Sequence, residues 1–385
     1  MSMPRIYFEL ILIGFIIMAG MSLPSSFLPI LADSLDPSGL LVGLVVSAWF
    51  LSRIFLEIPA GIISDRLGRR RLLIFGIGLS VMGPLLCAVA GNIYLLILGR
   101  AVWGMGTSFY FMNNMALLID IFPSRARGRA LGVFQGIEFI GSFIGAPIGA
   151  YLAVYMSYNQ VFYVTLALTV TSLLIALTSR SMKMAEPSSA PRPKPPLRDV
   201  LSSLRDWSIA AVCVCNLFRM FIRQGIFQTV LQLYLKRYLM FPLEHIGIVL
   251  SLSIAGQVIS VLAAGVLSDR FGRKPVLITG YVTSVATLYA FTVIKGLNLM
   301  LLVSFLSGLG EGFSLTTLMA LFSDIMPSSV RGGAIGLYRT FQDVGGVVGP
   351  VALMLVYTAF SGVYPFYLAI LFEIINIALV TILRA

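Results

Sequence analysis

The chain has 385 residues, of which 58% are hydrophobic and only 11% are charged. Soluble domains contain roughly 45 to 50% apolar and about 25% charged residues, so this chain has too few charges to cover a surface in contact with water. The composition therefore excludes a secreted, cytosolic or disordered protein and predicts a chain that is mostly surrounded by lipid. The formal net charge of +11 would also suit a nucleic-acid-binding protein, so the positions of the charges have to decide.

Twelve apolar runs follow one another along the chain. Each is close to the length of about 20 residues that a helix needs to cross a bilayer core. The first run follows Arg5 and continues to Leu31, well past the length of a signal-peptide core, so it predicts a retained helix. The predicted fold class is therefore an all-α integral membrane protein. The spans are predicted at 6–31, 40–63, 72–90, 94–119, 128–155, 159–179, 208–235, 244–264, 275–294, 298–323, 331–358 and 363–384.

The Lys and Arg residues between the spans indicate the orientation, because their excess stays on the cytoplasmic side of the membrane. With the N-terminus inside, the inner segments hold nineteen of these residues and the outer segments hold three. The positive charge is thus a topology signal, and no nucleic-acid partner is expected. We predict a multi-pass protein of the cell (plasma) membrane with both termini in the cytoplasm.

One long polar stretch, rich in proline, separates spans six and seven. It divides the chain into an N-terminal six-helix bundle at 1–179, a cytoplasmic linker at 180–207 and a C-terminal six-helix bundle at 208–385. The linker is rich in polar residues and proline, whereas both flanking regions consist largely of apolar runs. The boundaries therefore follow the change in composition.

The two halves repeat each other at a constant offset of 204 residues. At that offset 60–76 matches 264–280 at ten of seventeen positions, and the segment that begins at Asp120 matches the one that begins at Asp324. One offset shared by two separate segments indicates an internal duplication of six helices. Parallel repeats of six spans, with a site between them, are typical of secondary transporters.

The loop after span two and the loop after span eight carry the same polar residues. A carboxylate beside several guanidinium groups can form hydrogen-bonded pairs that break and re-form, and glycines allow tight turns at the membrane surface. Topology anchoring alone would explain the arginines, but not the recurring aspartate and glycines. The residues are Gly61, Asp65, Arg66, Gly68, Arg69 and Arg70 in the first loop, and Gly265, Asp269, Arg270, Gly272 and Arg273 in the second.

These two loops resemble those of a known family. The segments GIISDRLGRRR and GVLSDRFGRKP are similar to the G-x-x-x-D-R-x-G-R-R/K signature of the major facilitator superfamily. Span four adds RAVWGMG, which resembles the family's arginine–glycine motif, with Arg100, Gly104 and Gly106. Span five carries GSFIGAPIGA, which is similar to the antiporter motif of the twelve-helix drug:proton exporters, with the proline displaced by one residue to Pro147. The resemblance covers essentially the whole chain.

The resemblance implies two pseudo-symmetric six-helix bundles that transport their substrate by rocker-switch alternating access. It also implies that Asp65 braces the start of span eleven, near Arg331, in the outward-open state. Free backbone N–H groups at a helix start favour an anion by roughly 0.3–2 kcal/mol. Two further pairs, Asp120 with Arg127 and Asp324 with Arg331, are expected to extend this latch.

Several ionisable residues fall within the predicted spans, where each costs at least about 2.5 kcal/mol unless it has a partner, a wet cavity or a function. Burial favours the neutral form of a carboxyl group and a nearby Arg favours the charged form, so movement of the Arg can load and release a proton. The alternative is a static ion pair that holds helices together. Glu373, on an outer helix, is expected to have a structural partner. The proton-coupling candidates are Glu138, Asp343, Glu311, Arg100 and Arg339.

The geometry of the resembled family places spans one, two, four, five, seven, eight, ten and eleven around the transport cavity. At 100° per residue, polar stripes on spans four and five fall on single helix faces that can line it. Span seven is ambiguous, because its arginines and glutamines occupy opposite faces: either one row packs against neighbouring helices, or the helix breaks near Gly225. The cavity candidates are Arg53, Thr107, Phe111, Asn114, Gln135, Arg219, Arg223, Gln224 and Gln228.

The sequence thus predicts a monomeric secondary transporter whose partners are the lipid bilayer, a small-molecule substrate and protons. We expect proton-coupled export of small amphipathic, drug-like solutes. The alternative is an uptake symporter or facilitator for an organic anion or sugar, in which Arg219 and Arg223 contact the substrate instead of pairing with Glu311 or Asp343. We expect no enzyme, since no nucleophile–base constellation is present, no metal site, and no cofactor besides the proton gradient.

Overall fold

The computed structural model describes residues 4–122, 124–184, 202–326, 331–360 and 362–383. In this part of the chain every regular element is a helix, and twelve helices are long and apolar enough to cross a membrane. The predicted all-α membrane fold is confirmed. In chain order, spans one to twelve are formed by Arg5–Ser22, Gly39–Leu67, Arg69–Ala88, Ile93–Ile121, Ser124–Tyr155, Tyr158–Thr178, Trp207–Ile222 with its continuation, Leu243–Phe271, Arg273–Val293, Leu297–Ile325, Arg331–Ala359 and Tyr364–Ile382.

Span one is not the single helix to Leu31 that its apolar run predicts. The α-helix ends at Ser22, a 3-10 turn covers Leu23–Ser26, and a second short helix covers Leu28–Leu35. The cause is Pro24, which has no N–H group to donate and whose ring clashes with the preceding turn. A hydrophobicity count misses this break because proline leaves the run apolar.

Span seven changes helix type along its length. The α-helix Trp207–Ile222 continues as a π-helix over Arg223–Val230 and, after one α-helical turn, again over Tyr234–Tyr238. The hydroxyl of Thr229 donates to the carbonyl oxygen of Gln224 at 2.8 Å, a spacing of five residues that fits the wider π turn. The helix therefore stays continuous and changes phase, where the sequence had offered a straight helix or a break.

Backbone contacts divide the chain into two compact units, the first comprising 1–37 and 44–192 and the second comprising 38–43 and 193–385. The predicted linker at 180–207 is described only at its ends, by a short helix at Arg180–Met184 and a 3-10 turn at Ser203–Arg205. The rest of the linker lies outside the described residues.

The two units repeat one packing scheme. In the first unit span three packs on spans four and six, and span one packs on span five; in the second, span nine packs on spans ten and twelve, and span seven packs on span eleven. Equivalent glycines make these approaches possible. A β-carbon at Gly76 would lie 2.8 Å from the carbonyl oxygen of Gly106, and one at Gly280 would lie 2.9 Å from that of Gly310. The duplication in sequence is therefore also a duplication of packing.

The contacts of spans one and seven show that the repeat has two offsets. A β-carbon at Gly145 would overlap the carbonyl oxygen of Ala19, and one at Gly349 would overlap that of Phe221. Gly145 and Gly349 are 204 residues apart, whereas Ala19 and Phe221 are 202 apart. Equivalent positions in spans one and seven are thus found at an offset of 202, two residues fewer than in the rest of the repeat.

The recurring loop glycines have a backbone role. Gly68 and Gly272 precede spans three and nine with φ angles of 90° and 91°. A β-carbon disfavours this conformation, so glycine is the residue that adopts it at little cost. The tight turn at the membrane surface is therefore built into both copies of the motif.

Candidate functional site

The second unit contains a buried cluster of opposite charges where span seven meets span ten. The Oε1 atom of Glu311 accepts a hydrogen bond from Arg219 and lies 3.7 Å from Nη1 of Arg223. The Arg219 side chain is 2% exposed and that of Glu311 is 15% exposed. Two positive charges therefore share one negative charge inside the protein. This pairing with Glu311 is one of the alternatives that the sequence had left open.

Asn216 holds Arg219 from its other side. Its Oδ1 atom accepts hydrogen bonds from Nε and Nη2 of Arg219 at 3.3 and 3.1 Å. Its Nδ2 atom donates to the carbonyl oxygen of Tyr338 on span eleven at 3.0 Å. Arg219 is therefore oriented by spans seven, ten and eleven together.

Glycines beside Glu311 allow the neighbouring helix to come close. A β-carbon at Gly308 would overlap the carbonyl oxygen of Ser253, and one at Gly312 would overlap the hydroxyl oxygen of Ser260, both on span eight. The sequence GLGEG thus combines close helix packing with one buried carboxylate. This tight packing holds the backbone around Glu311 close to span eight.

Glu138 in the first unit has a different environment. Its side chain is half-buried on span five, and its Oε1 atom is buried and has no hydrogen-bond partner among the described residues. A β-carbon at Gly14 of span one would lie 3.3 Å from that oxygen and 3.0 Å from the ring of Phe134. Glycine at position 14 therefore leaves the space in which the Glu138 carboxyl sits.

Arg100 does not pair with Glu138 in this structure. Its Nε atom donates to the carbonyl oxygen of Val45 on span two at 3.3 Å, and its guanidinium lies 5.4 Å from the centre of the Trp103 ring. A main-chain oxygen and an aromatic face both favour a cation without neutralising it. The guanidinium charge of Arg100 is therefore held without a described carboxylate beside it.

The remaining charged candidates lie on spans two and eleven. The guanidinium of Arg53 stacks 4.5 Å above the ring of Trp49. Asp343 is 1% exposed, and Arg339 lies half-buried one turn earlier on the same helix. A buried carboxylate on the helix that packs against Arg219's own span keeps Asp343 among the coupling candidates.

The polar stripe of span four lies mainly in helix contacts. Thr107 and Asn114 are buried: the hydroxyl of Thr107 donates to the carbonyl oxygen of Gly104, and the amide of Asn114 donates to the hydroxyl of Tyr110. Both side chains thus donate within span four, while the buried Oδ1 atom of Asn114 has no hydrogen-bond partner among the described residues. The other cavity candidates are the half-buried Phe111, Gln224 and Gln228 and the exposed Gln135.

The loops at the starts of spans three and nine hold the same ion pair. Nη1 of Arg69 lies 2.5 Å from Oδ2 of Asp120, and Nε of Arg273 lies 3.1 Å from Oδ2 of Asp324. Both members recur at the 204-residue offset. Arg273 also lies 2.6 Å from Asp269, four residues earlier. The partner of each aspartate is thus the residue after the loop glycine.

These pairs give the latch aspartates described partners that the sequence analysis did not name. The expected pairs of Asp120 with Arg127 and of Asp324 with Arg331 stay predictions, because the side chains of both arginines lie outside the described residues. The described partners come from the preceding loop, which the glycine turn brings to the end of span four or ten. Nothing tests the predicted bracing of span eleven, since several side chains of the expected latch lie outside the described residues, namely those of Gly61, Asp65, Arg66, Arg127 and Arg331.

The repeat in the sequence carries a signal for these ion pairs. Oppositely charged residues that both recur at the repeat offset are candidates for a contact that was present before the duplication. Arg69 with Asp120 and Arg273 with Asp324 meet that criterion. Of the other motif arginines, Arg70 is half-buried, and Arg270 lies 5.4 Å from the centre of the Phe271 ring.

The shared packing, the twelve spans and the repeated loop describe a transporter architecture. The sequence model of the Major Facilitator Superfamily matches residues 10–222 and again residues 212–385. The chain belongs to the Major Facilitator Superfamily. It is therefore a multi-pass membrane transporter, which lies in a lipid bilayer and acts on a small-molecule substrate.

Relatives within the superfamily differ in the substrates that their names give. The multidrug resistance protein MdtG of Citrobacter koseri is 26% identical over 86% of this chain and 83% of that protein. The quinolone resistance protein NorA of Staphylococcus aureus is 23% identical over 88% of this chain and 86% of that protein. Both alignments extend through both units of the present chain.

Solved structures of superfamily transporters share the fold. A variant of the nucleoside transporter NupG aligns with a TM-score of 0.80 and 14% identity over 98% of this chain and 99% of that one. A bacterial homolog of the human lysosomal transporter Spinster aligns with a TM-score of 0.76 and 12% identity over 98% and 95%. At such identities the likeness concerns the fold and leaves the substrate open.

Proposed function

We propose that this superfamily member exports small amphipathic, drug-like solutes in exchange for protons, by rocker-switch alternating access. The relatives named for multidrug and quinolone resistance, which align over more than four fifths of both chains, support drug-like solutes as substrates. The distribution of Lys and Arg supports a cell-membrane transporter with both termini in the cytoplasm. The protein works as a monomer in this proposal.

The observation that carries proton coupling is the environment of Glu138. Among the described residues no cation lies beside this half-buried carboxyl, and its Oε1 atom has no hydrogen-bond partner. Removing a charged carboxylate from water without a counter-ion is costly, and a bound proton removes that cost. Glu138 therefore binds a proton when its surroundings are dry and releases it when a conformational change admits water or a cation.

Glu311 supports the same function in a second way. Its carboxylate is matched by two guanidinium groups, and a proton on it would leave the buried Arg219 without its counter-charge. Breaking a buried ion pair in this manner costs about 3–5 kcal/mol. Protonation of Glu311 therefore requires a rearrangement of the arginines, which links proton binding to conformational change.

The alternative function, uptake of an organic anion or sugar, also has a specific observation in its favour. The cluster of Arg219, Arg223 and Glu311 carries one positive charge in excess. Of its two arginines, Arg223 is the more exposed, at 25% against 2% for Arg219. Arg223 is thus the residue that an anionic substrate would contact.

Uptake of a fluorescent dye into everted vesicles, with and without an imposed pH gradient, tests the proposal. The proteins compared are the intact transporter, Glu138→Gln, Asp343→Asn and, as a matched control, Glu244→Gln at the exposed start of span eight. We expect gradient-driven uptake with the intact protein and the control, and its loss in Glu138→Gln. Equal rates in all four proteins without any response to the gradient would contradict the proposal and favour the anion or sugar carrier.

A further inference from the structure

A second carboxyl group without a neighbouring cation lies between spans nine and twelve. Glu373 is 3% exposed. Its Oε1 atom accepts a hydrogen bond from the hydroxyl of Ser284 at 2.7 Å, and its Oε2 atom accepts one from the amide of Asn376 at 3.0 Å. Among the described residues no Lys, Arg or His lies within ion-pair distance of it. The structural partners of Glu373 are thus two neutral groups, the hydroxyl of Ser284 and the amide of Asn376.

We propose that Glu373 is a proton-binding site of the second unit, and that the Arg219–Glu311–Arg223 cluster controls whether it holds a proton. The inference concerns a group that the proposed export mechanism does not use. It rests on that mechanism only in supposing that the cluster changes during transport. Its first step, binding of a proton to Glu373, stands independently of any substrate.

The hydrogen bonds around Glu373 suit both of its protonation states. A serine hydroxyl donates to a carboxylate and accepts from a carboxylic acid. An asparagine offers its amide to a carboxylate or, after rotation of the side chain, its carbonyl oxygen to an acid. The Oδ1 atom of Asn376 is buried and has no hydrogen-bond partner among the described residues, so after that rotation it can accept the acid proton. The site can therefore gain or lose a proton without losing its packing.

Titratable groups reach Glu373 from the helices packed around it. Arg219 on span seven and Glu311 on span ten both interact with it electrostatically. Cys215 on span seven and Tyr281 on span nine do so as well. Span eleven adds the buried Tyr338, which interacts with Arg219 and Glu311. The only full charges among these groups belong to the ion-paired cluster.

Counting these charges shows how the cluster and Glu373 are linked. Arg219, Arg223 and Glu311 together carry one positive charge, which an ionised Glu373 would balance. If an anion binds at Arg223, the more exposed of the two arginines, that excess disappears, and Glu373 is then most stable as the neutral acid. Proton binding at Glu373 therefore depends on whether an anion is bound at the arginines. Glu373 itself lies on span twelve, which is not among the spans predicted to line the cavity.

Infrared titration of the purified protein in lipid vesicles tests this site without any transport. The C=O stretching band of protonated carboxyl groups is recorded from acidic to alkaline buffer for the intact protein, Glu373→Gln and the exposed-site control Glu244→Gln. We expect a titrating band from a buried, hydrogen-bonded carboxyl group in the intact protein and in the control, and the loss of that band in Glu373→Gln, whereas the control loses only the contribution of an exposed carboxyl group. Identical titrations in all three proteins would overturn the proposal, because Glu373 would then never exchange its proton.

A second pair of variants tests the control by the cluster. In Arg219→Gln one positive charge is removed, so we expect the Glu373 band to persist into more alkaline buffer than in the intact protein. Ser284→Ala keeps all charges and removes the hydroxyl beside the carboxyl, so the band should remain and its position should shift. An unchanged midpoint in Arg219→Gln would refute the electrostatic link. Failure of drug transport in the intact protein would refute the proposed function and leave these spectra unaffected.

Discussion

The two units share their helix packing and their loop ion pairs, but they differ in the charges within the membrane. Glu138 corresponds to Gln342 in the second unit, and Glu311 corresponds to Thr107 in the first. Each unit adopts the shared packing scheme without the carboxyl group that the other carries at the equivalent position, so that scheme does not require either group. What the two units share therefore maintains the architecture, and what distinguishes them is the better guide to transport.

Arg100 shows the same distinction at a single position. Its Nε atom donates to the carbonyl oxygen of Val45. At the equivalent position of the second unit, the hydroxyl of Ser304 donates to the carbonyl oxygen of Val249. Arg100 and Ser304 are 204 residues apart, and so are Val45 and Val249. Because a serine makes the contact adequately, the positive charge of Arg100 serves something other than helix packing.

The largest expected effect comes from making the two units alike at Glu138. In Glu138→Gln the first unit acquires the amide that the second unit carries at position 342. We expect the pH dependence of dye transport to disappear, since the proton-binding group is replaced by an isosteric neutral one. Transport rates measured across a pH series, without a gradient, check this. A variant with the same pH profile as the intact protein would assign proton coupling to another carboxyl.

The second prediction concerns the charge cluster that the first unit lacks. Glu311→Gln leaves Arg219 buried without its counter-charge, so we expect a loss of about 3–5 kcal/mol of stability. Thermal unfolding of the purified protein in detergent measures it. The double variant Arg219→Met with Glu311→Gln should recover part of the loss, because the more deeply buried of the two arginines no longer leaves an unpaired charge. A single variant as stable as the intact protein would show that Arg219 does not depend on Glu311.

The third prediction tests the shared packing. Gly145→Ala and Gly349→Ala each place a β-carbon against a main-chain carbonyl oxygen of the partner helix. Overpacking of this kind costs typically about 1–3 kcal/mol, and equivalent helices should lose similar amounts of thermal stability. Gly132→Ala and Gly336→Ala are matched controls, since a β-carbon at either position meets no atom within 4 Å. Unequal losses would show that the two units tolerate overpacking differently.

The smallest effect is expected at the loop ion pairs. Arg273→Gln should cost less than about 1 kcal/mol, because ion pairs with an exposed member contribute little. Arg69→Gln should lose more, since the pair of Arg69 with Asp120 is more buried than the pair of Arg273 with Asp324. Thermal unfolding at low and high salt distinguishes them: the Arg273 pair should be the more sensitive to salt. The reverse order would indicate that burial does not determine the strength of these pairs.

The arginines of span seven illustrate how much of the site was accessible from sequence. The sequence identified Arg219 and Arg223 as intramembrane charges and offered Glu311 as a partner. At the packing offset of 202 residues they correspond to Ile17 and Met21 in span one, so their absence from the first unit is evident once the offset is known. The sequence alone did not give that offset, because it follows from which carbonyl oxygen faces which glycine.

The sequence by itself determined the twelve spans, the duplication, the loop motif and the superfamily, because hydropathy, repeats and motifs are properties of the linear chain. Tertiary structure alone decided that Asp120 meets Arg69, that Pro24 ends the first helix early, and that span seven changes phase at Arg223. Successive side chains on a helix point about 100° apart. A small rotation or a wider turn therefore exchanges one partner for another while the apolar pattern stays the same.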